Sequence, residues 1–280
     1  MSLISIAMKK FIIILTTLFA LASCKSNSTT QKENPQDKEA LLMVYFGTTN
    51  DQTRALTIDS LNKKAKEISE NAFEAYTSRI VIKRLKERGI QKETPEEVLS
   101  RLKGYSTVKI IPTFIIPGKE SKMLAEEVSK FNEKFQSITI LPPLLYSVED
   151  CDKVTDIIAK RNYCGCGQTH HILFVGHGTD DPATAVYSQM DYMLKAKGYT
   201  NMHVATIEGY PTFGTALDLL KKGNAKKVTL VPLMFVAGDH AVNDISKEWK
   251  EKLEQNGLTV ELNIEGLGQI PEIQSLYLSR

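Results

Sequence analysis

The segment Val108-Lys-Ile-Ile-Pro-Thr-Phe-Ile-Ile-Pro-Gly-Lys-Glu120 aligns without a gap on Val228-Thr-Leu-Val-Pro-Leu-Met-Phe-Val-Ala-Gly-Asp-His240. Pro112 falls on Pro232, Gly118 on Gly238 and Glu120 on His240. A second pair, Met43-Val-Tyr-Phe-Gly-Thr48 and Phe174-Val-Gly-His-Gly-Thr179, places Phe46 on His177. A repeat this long within one chain points to duplication, and so to two halves of one plan.

Each half alternates strands and helices. Ala40 to Phe46, Val108 to Ile116, Ile138 to Leu141, His171 to Val175, Met202 to Glu208 and Val228 to Phe235 read as strands. Several are continuous apolar runs, as expected of strands buried on both faces. Asp51 to Ala72, Ser121 to Phe135, Asp180 to Lys197 and Ile245 to Gln255 read as helices. This alternation predicts an α/β fold of two pseudo-symmetric domains, each a parallel sheet flanked by helices. The expected domains are residues 39–165 and 166–280, with the boundary in the Cys/Gly-rich stretch from Asn162 to Thr169.

The repeat has a chemical consequence. In open α/β sheets ligands gather beyond the carboxyl ends of the strands. Glu120, His177 and His240 all fall at or just beyond such ends. If the halves face each other, one carboxylate and two imidazoles meet in the cleft, a set suited to a borderline divalent cation such as Co, Ni, Fe or Zn. Taken alone, Glu120 reads as a first-turn carboxylate facing a helix dipole. Its correspondence with His240 is what raises it.

The amino-terminal stretch follows a different logic. Lys9 and Lys10 precede an apolar run, Phe11 to Ala22, of signal-peptide length. It ends in Leu21-Ala22-Ser23-Cys24, the pattern of a bacterial lipobox with Cys24 as the lipidated residue. Residues 1–24 are therefore expected to be a lipoprotein signal peptide. Residues 25–38 are polar and read as a flexible tether. Cys151, Cys164 and Cys166 remain, and an oxidising compartment would allow Cys151 to pair with one of the other two. Cys164-Gly-Cys166 near His170 and His171 lacks the spacing of a structural zinc site. A formal net charge of +2, with scattered basic residues, gives no electrostatic basis for nucleic-acid binding.

The motifs Phe46-Gly-Thr48, Tyr76-Thr-Ser78, Ile116-Pro-Gly-Lys-Glu120, Pro143-Leu-Leu145, Gly176-His-Gly178, Glu208-Gly-Tyr-Pro211, Val236-Ala-Gly-Asp-His-Ala-Val-Asn-Asp244 and Gly266-Leu-Gly268 resemble the anaerobic-type sirohydrochlorin cobaltochelatases. These belong to the class II chelatase superfamily, which also holds ferrochelatase. The similarity runs from about Leu41 to the carboxyl terminus. It implies insertion of Co2+ into sirohydrochlorin, with cobalt as substrate metal and no organic cofactor. It places the metal ligands and catalytic groups on His177, His240 and Glu120. Phe114 departs from the pattern, since some members carry His there.

On this resemblance His177 is the principal base and a ligand, His240 the opposing ligand, and Glu120 a ligand that also takes protons. Asp239, Asn243 and Asp244 would orient His240. Phe46, Phe114 and Phe235 would wall the macrocycle, and Arg79 or Lys119 would meet its carboxylates. Partners are then the tetrapyrrole, a divalent metal and a membrane reached through the lipid anchor; homo-oligomerisation stays open. The location expected is the cell envelope, facing the periplasm. An export signal also suits a tetrapyrrole, haem or metal carrier, and the ligand set suits an Fe or Ni chelatase equally.

The lipobox reading carries a direct test. Cys24→Ala should abolish incorporation of labelled lipid and leave the protein unprocessed or soluble. Unchanged membrane partition of C24A would overturn it.

Overall fold

Val44 pairs with Pro112, and Val175 pairs with Pro232. These are equivalent positions of the repeat, so the duplication extends to strand register. The computed structural model describes residues 38–165, 167–238 and 241–280. Cys24, Cys166, Asp239 and His240 lie outside the described residues, as do the expected signal peptide and nearly all of the tether.

The first half runs β1 (Glu39–Tyr45), α1 (Asp51–Arg54), a π-helical stretch (Ala55–Asp59), α2 (Ser60–Ile68), β2 (Ala72–Tyr76), α3 (Arg79–Glu87), α4 (Pro95–Arg101), β3 (Thr107–Pro112), α5 (Lys119–Ser129), β4 (Ser137–Ile140) and α6 (Val148–Asn162). The second runs β5 (His170–Gly178), a 3-10 turn (Pro182–Thr184), α7 (Ala185–Ala196), β6 (Met202–Glu208), α8 (Phe213–Lys222), β7 (Lys227–Leu233), a π-helical stretch (Ala241–Trp249), α9 (Lys250–Gln255), β8 (Thr259–Leu262), a 3-10 turn (Leu267–Gln269) and α10 (Pro271–Leu278). The sheets have the orders β2-β1-β3-β4 and β6-β5-β7-β8, which are the same order in each half. Every pairing is parallel.

Strand alternation explains the layers. Leu41, Met43 and Tyr45 of β1 point into a core shared with Ile172 and Phe174 of β5. Ala40, Leu42 and Val44 point the other way, under α4 and α5. Leu173 and Val175 likewise turn outward, under α8 and α9. With both faces covered, no position can be polar without a partner, which is why these strands are continuous apolar runs. Between the sheets lie α2, α6, α7 and α10, each contributing buried side chains to the shared core. No helix among the described residues is long and apolar enough to cross a membrane.

Two expectations need correction, and the open question of Cys151 has an answer. The helix expected to run to Ala72 ends at Ile68, and Ala72–Tyr76 is an edge strand instead. The helix expected from Asp180 starts at Ala185, after a 3-10 turn opened by Pro182. Cys151 is a buried free thiol, so it pairs with neither Cys164 nor Cys166. The reason is geometric: α6 turns Cys151 into the shared core, whereas Cys164, which is disulfide-bonded, sits on an exposed connection.

A chain of buried polar groups crosses the second half. The rings of His171 and His203 lie nearly parallel, with Nδ1 of His171 at 2.8 Å from Nε2 of His203. His171 Nε2 is 3.2 Å from the Gly223 carbonyl, and Lys195 Nζ is 3.0 Å from His203 Nδ1. One protonation pattern satisfies every contact. Lys195 donates to His203 Nδ1, His203 Nε2–H donates to His171 Nδ1, and His171 Nε2–H donates to Gly223. Both imidazoles must then be neutral. Burial lowers the pKa of each, that of His203 to about 3.

An unfolded histidine titrates near 6.5, so between that value and the folded pKa the unfolded state binds more protons. Stability should therefore fall as pH drops below about 6.5, by roughly 2 kcal/mol from His203 between pH 7 and pH 5, with His171 acting in the same direction. Urea unfolding followed across this range should show H203Q with a slope shallower by close to one proton. An unaltered slope would overturn the assignment.

Candidate functional site

The carboxyl ends of both sheets open into one cleft of about 660 Å³. Its walls are largely apolar, and Phe46, Phe114 and Phe235 all line it, as the sequence leads one to expect. They differ in kind. Phe46 is 49% exposed, a large ring offered to solvent at the end of β1. Phe114 and Phe235 are buried, with most of each ring in the core. A second concavity, about 560 Å³, lies on the β2 side of the first sheet. It lacks an apolar wall of this extent, and two of its charged pairs, Lys92 with Glu74 and Arg101 with Glu93, close on themselves.

Glu120 and His177 both line the main cleft. Glu120 stands in the first turn of α5, whose N-cap is Gly118. His177 is the penultimate residue of β5. Gly178 turns the chain there with φ of 79°, and a Cβ on it would come 1.6 Å from the Glu208 carbonyl oxygen of β6. A side chain at position 176 would meet the Tyr187 ring at 2.3 Å. The glycines flanking His177 thus let β6 and α7 close in on either side. His177 Nδ1 is 3.2 Å from the Gly178 carbonyl, and a proton donated there leaves the ring lone pair on Nε2.

Two observations tie Glu120 to the His177 loop. Tyr187, buried beneath the cleft, has its hydroxyl bonded by the Gly178 backbone. Its pKa is raised chiefly by burial and further by the nearby charge of Glu120. Beside Glu120, Lys119 pairs with Asp180 at 2.6 Å, and Lys122 pairs with Asp181. The bonds from Lys119 and Lys122 hold both carboxyls below the usual range. Asn243 and Asp244 also line the cleft. His240 and Asp239, expected as ligand and support, lie outside the described residues. Among the described residues no three His, Cys, Asp or Glu side chains are grouped to hold a metal ion.

The expected rim cations are misplaced. Arg79 pairs with Glu127 and Lys119 with Asp180, and neither lines the cleft. Arg84 does line it, together with Ile80 and Val81 of the same helix. The sequence carries no signal for Arg84 beyond its spacing from Ile80.

A model of the family described as "Cobalt chelatase (CbiK)" matches residues 39–280. A sirohydrochlorin cobaltochelatase of Salmonella typhimurium is 32% identical over 251 residues, 86% of this chain and 94% of its own. The sirohydrochlorin cobaltochelatase CbiKC of Nitratidesulfovibrio vulgaris is 27% identical, covering 81% and 84%. In fold, the chain is similar to SirB from Bacillus subtilis with Fe3+, at a TM-score of 0.61, 16% identity and coverage of 87% and 94%.

The turn after His177 gives a test. Gly178→Ala adds a Cβ where β6 backbone already sits and forces a left-handed conformation. It should cost at least ~2 kcal/mol in urea unfolding. A G178A protein as stable as wild type would show that the turn is not as constrained as described.

Proposed function

Because the chain belongs to the cobalt chelatase (CbiK) family, we infer that it inserts Co2+ into sirohydrochlorin in the cleft that Glu120 and His177 line. The observation that carries this reading is the meeting of those two side chains in one apolar cleft, although they are more than fifty residues apart in sequence. An apolar cleft suits the face of a flat macrocycle, and a carboxylate and an imidazole on its lining suit an ion.

Insertion removes two pyrrole protons as the metal enters. His177 takes one, acting as base and as ligand in turn, because a neutral imidazole lone pair serves either purpose. Glu120 holds the ion and accepts the other proton. His240 is the opposing ligand in this proposal, on the strength of its repeat correspondence with Glu120 and its family motif. Asn243 and Asp244 support that side of the cleft. Each repeat half, 39–165 and 166–280, thus supplies part of the site. Anchoring through Cys24 and a place in the cell envelope facing the periplasm belong to the same proposal, and rest on Lys9 to Cys24 alone.

Initial rates of cobalt insertion into sirohydrochlorin test the chemistry. His177→Ala should lower them roughly 10²–10⁴-fold, the loss typical of a missing general base. Circular dichroism serves as the folding control. A folded H177A protein with near wild-type rates would remove His177 from the mechanism.

A further inference from the structure

Charge is unevenly divided around the cleft. Among its described lining residues Arg84 is the only Arg or Lys, whereas Glu120 and Asp244 are both carboxylates. Position in the fold separates them. In the first sheet the order is β2-β1-β3, and the cleft is lined in turn by the segment after β2, the segment after β1 and the segment after β3. Arg84 belongs to α3, which follows β2, and Glu120 to α5, which follows β3. The exits of β2 and β3 are two strand spacings apart, roughly 10 Å, with Phe46 at the exit of β1 between them.

The wall that carries Arg84 is also the one that offers apolar surface to solvent. Ile80 is 65% exposed, and with Val81 and Arg84 it falls at helical spacing on one face of α3. Ser78 caps this helix, its hydroxyl accepting from the Val81 amide, and lines the cleft as well. Phe46 adds a half-exposed ring alongside. Exposed Phe and Ile beside a guanidinium make a ledge for something flat, apolar and anionic at its edge.

We propose that Arg84 is a specificity-determining residue that receives a peripheral carboxylate of the tetrapyrrole, with Phe46, Ile80 and Val81 as the ledge beneath the macrocycle edge. This rests on the reading of the cleft as the tetrapyrrole site. Arg84, Glu120 and His177 line one cleft, so a macrocycle gripped at its edge by Arg84 extends along the walls that carry the other two. The guanidinium fork matches a carboxylate in two parallel hydrogen bonds, a geometry that Lys cannot reproduce. Glu120, on the segment after β3 and so beyond Phe46 from Arg84 in strand order, repels the same carboxylates. The charge division thus fixes which edge of the macrocycle enters first.

The experiment is a titration of metal-free sirohydrochlorin, followed by its absorption, into wild-type, R84A and R84K proteins. The same titration is repeated with the fully esterified macrocycle, and folding is checked by thermal melts. R84A should raise the Kd for sirohydrochlorin at least about tenfold, the loss of one charge-assisted contact, with R84K intermediate. The ester should bind all three proteins alike. In steady-state assays the loss should appear in KM for sirohydrochlorin and not in KM for Co2+. Folded R84A with wild-type affinity for sirohydrochlorin, or equal weakening for acid and ester, overturns the role of Arg84 while leaving the site reading intact. Wild-type protein that fails to bind sirohydrochlorin at all removes the reading beneath it. Should R84A melt early, R84K against wild type makes the same comparison.

Discussion

Three aromatic rings clasp the two sheets together, and the geometry of the cleft follows from them. Tyr45, the last residue of β1, lies 5.8 Å from Phe235, just past β7, and Phe235 lies 5.6 Å from Tyr277 of α10 in a near-perpendicular arrangement. All three are buried, and such pairs add about 0.5–1.5 kcal/mol each beyond the area they bury. Their polar ends are used too. The Tyr45 hydroxyl donates to Asn62, and the Tyr277 hydroxyl donates to the Thr113 carbonyl at 3.1 Å. The carboxyl-terminal helix thereby returns to the first half of the chain. Two residues past it, Arg280 donates to the carbonyls of Pro142, Pro143 and Leu144 and pairs with Asp150. Phe235 belongs to the clasp and to the cleft lining, so the floor of the cleft cannot shift without parting the sheets.

The duplicated scaffold has diverged where the chemistry lies. Gly47 and Gly178 occupy equivalent turns, and both keep a positive φ, 99° and 79°. One residue earlier, the repeat places Phe46 against His177. Two residues earlier it places Tyr45 against Gly176, and the space beside Gly176 is filled from α7 by Tyr187. The backbone solution is retained, while one copy presents an aromatic ring and the other an imidazole. A symmetric cleft would offer a planar macrocycle the same groups from both halves. The divergence sets an apolar ring on one half of the cleft and an imidazole on the other, the asymmetry on which the proposed metal insertion through one face of a ring relies.

How much of this could be read from the sequence depended on periodicity. The central strands were legible because burial on both faces forces long apolar runs, as in Ala40 to Phe46 and Val228 to Phe235. The edge strands β2 and β8 were not. Glu74 interrupts β2, and only Val260 of β8 is buried, so neither shows a run or a clear alternation. Glu120 and His177 were legible through the repeat, which supplies an alignment from within a single chain. Arg84 and the acids Asp180 and Asp181 were not, because their positions depend on how distant segments meet, and nothing in local sequence marks which helix face or loop will meet another. The state of Cys151 stayed open for a related reason: cysteine spacing says nothing about the side of α6 that faces the core.

The ion pairs above the clasp have a narrower role than their number suggests. Lys119 and Asp180 are 60% and 76% exposed, and a pair so open to solvent contributes little to stability. Such pairs cannot be what holds the halves together; the buried rings do that. What Lys119–Asp180 and Lys122–Asp181 can do is limit how far the first turn of α5 slides past the loop after His177, because each spans directly between those two segments. A rigid floor with a lightly tethered rim is a coherent arrangement for this chemistry. The apolar floor offers a flat ligand a surface of fixed depth, while Glu120 is exposed and His177 half-buried, so both side chains assigned to proton transfer in the proposed reaction are open to water.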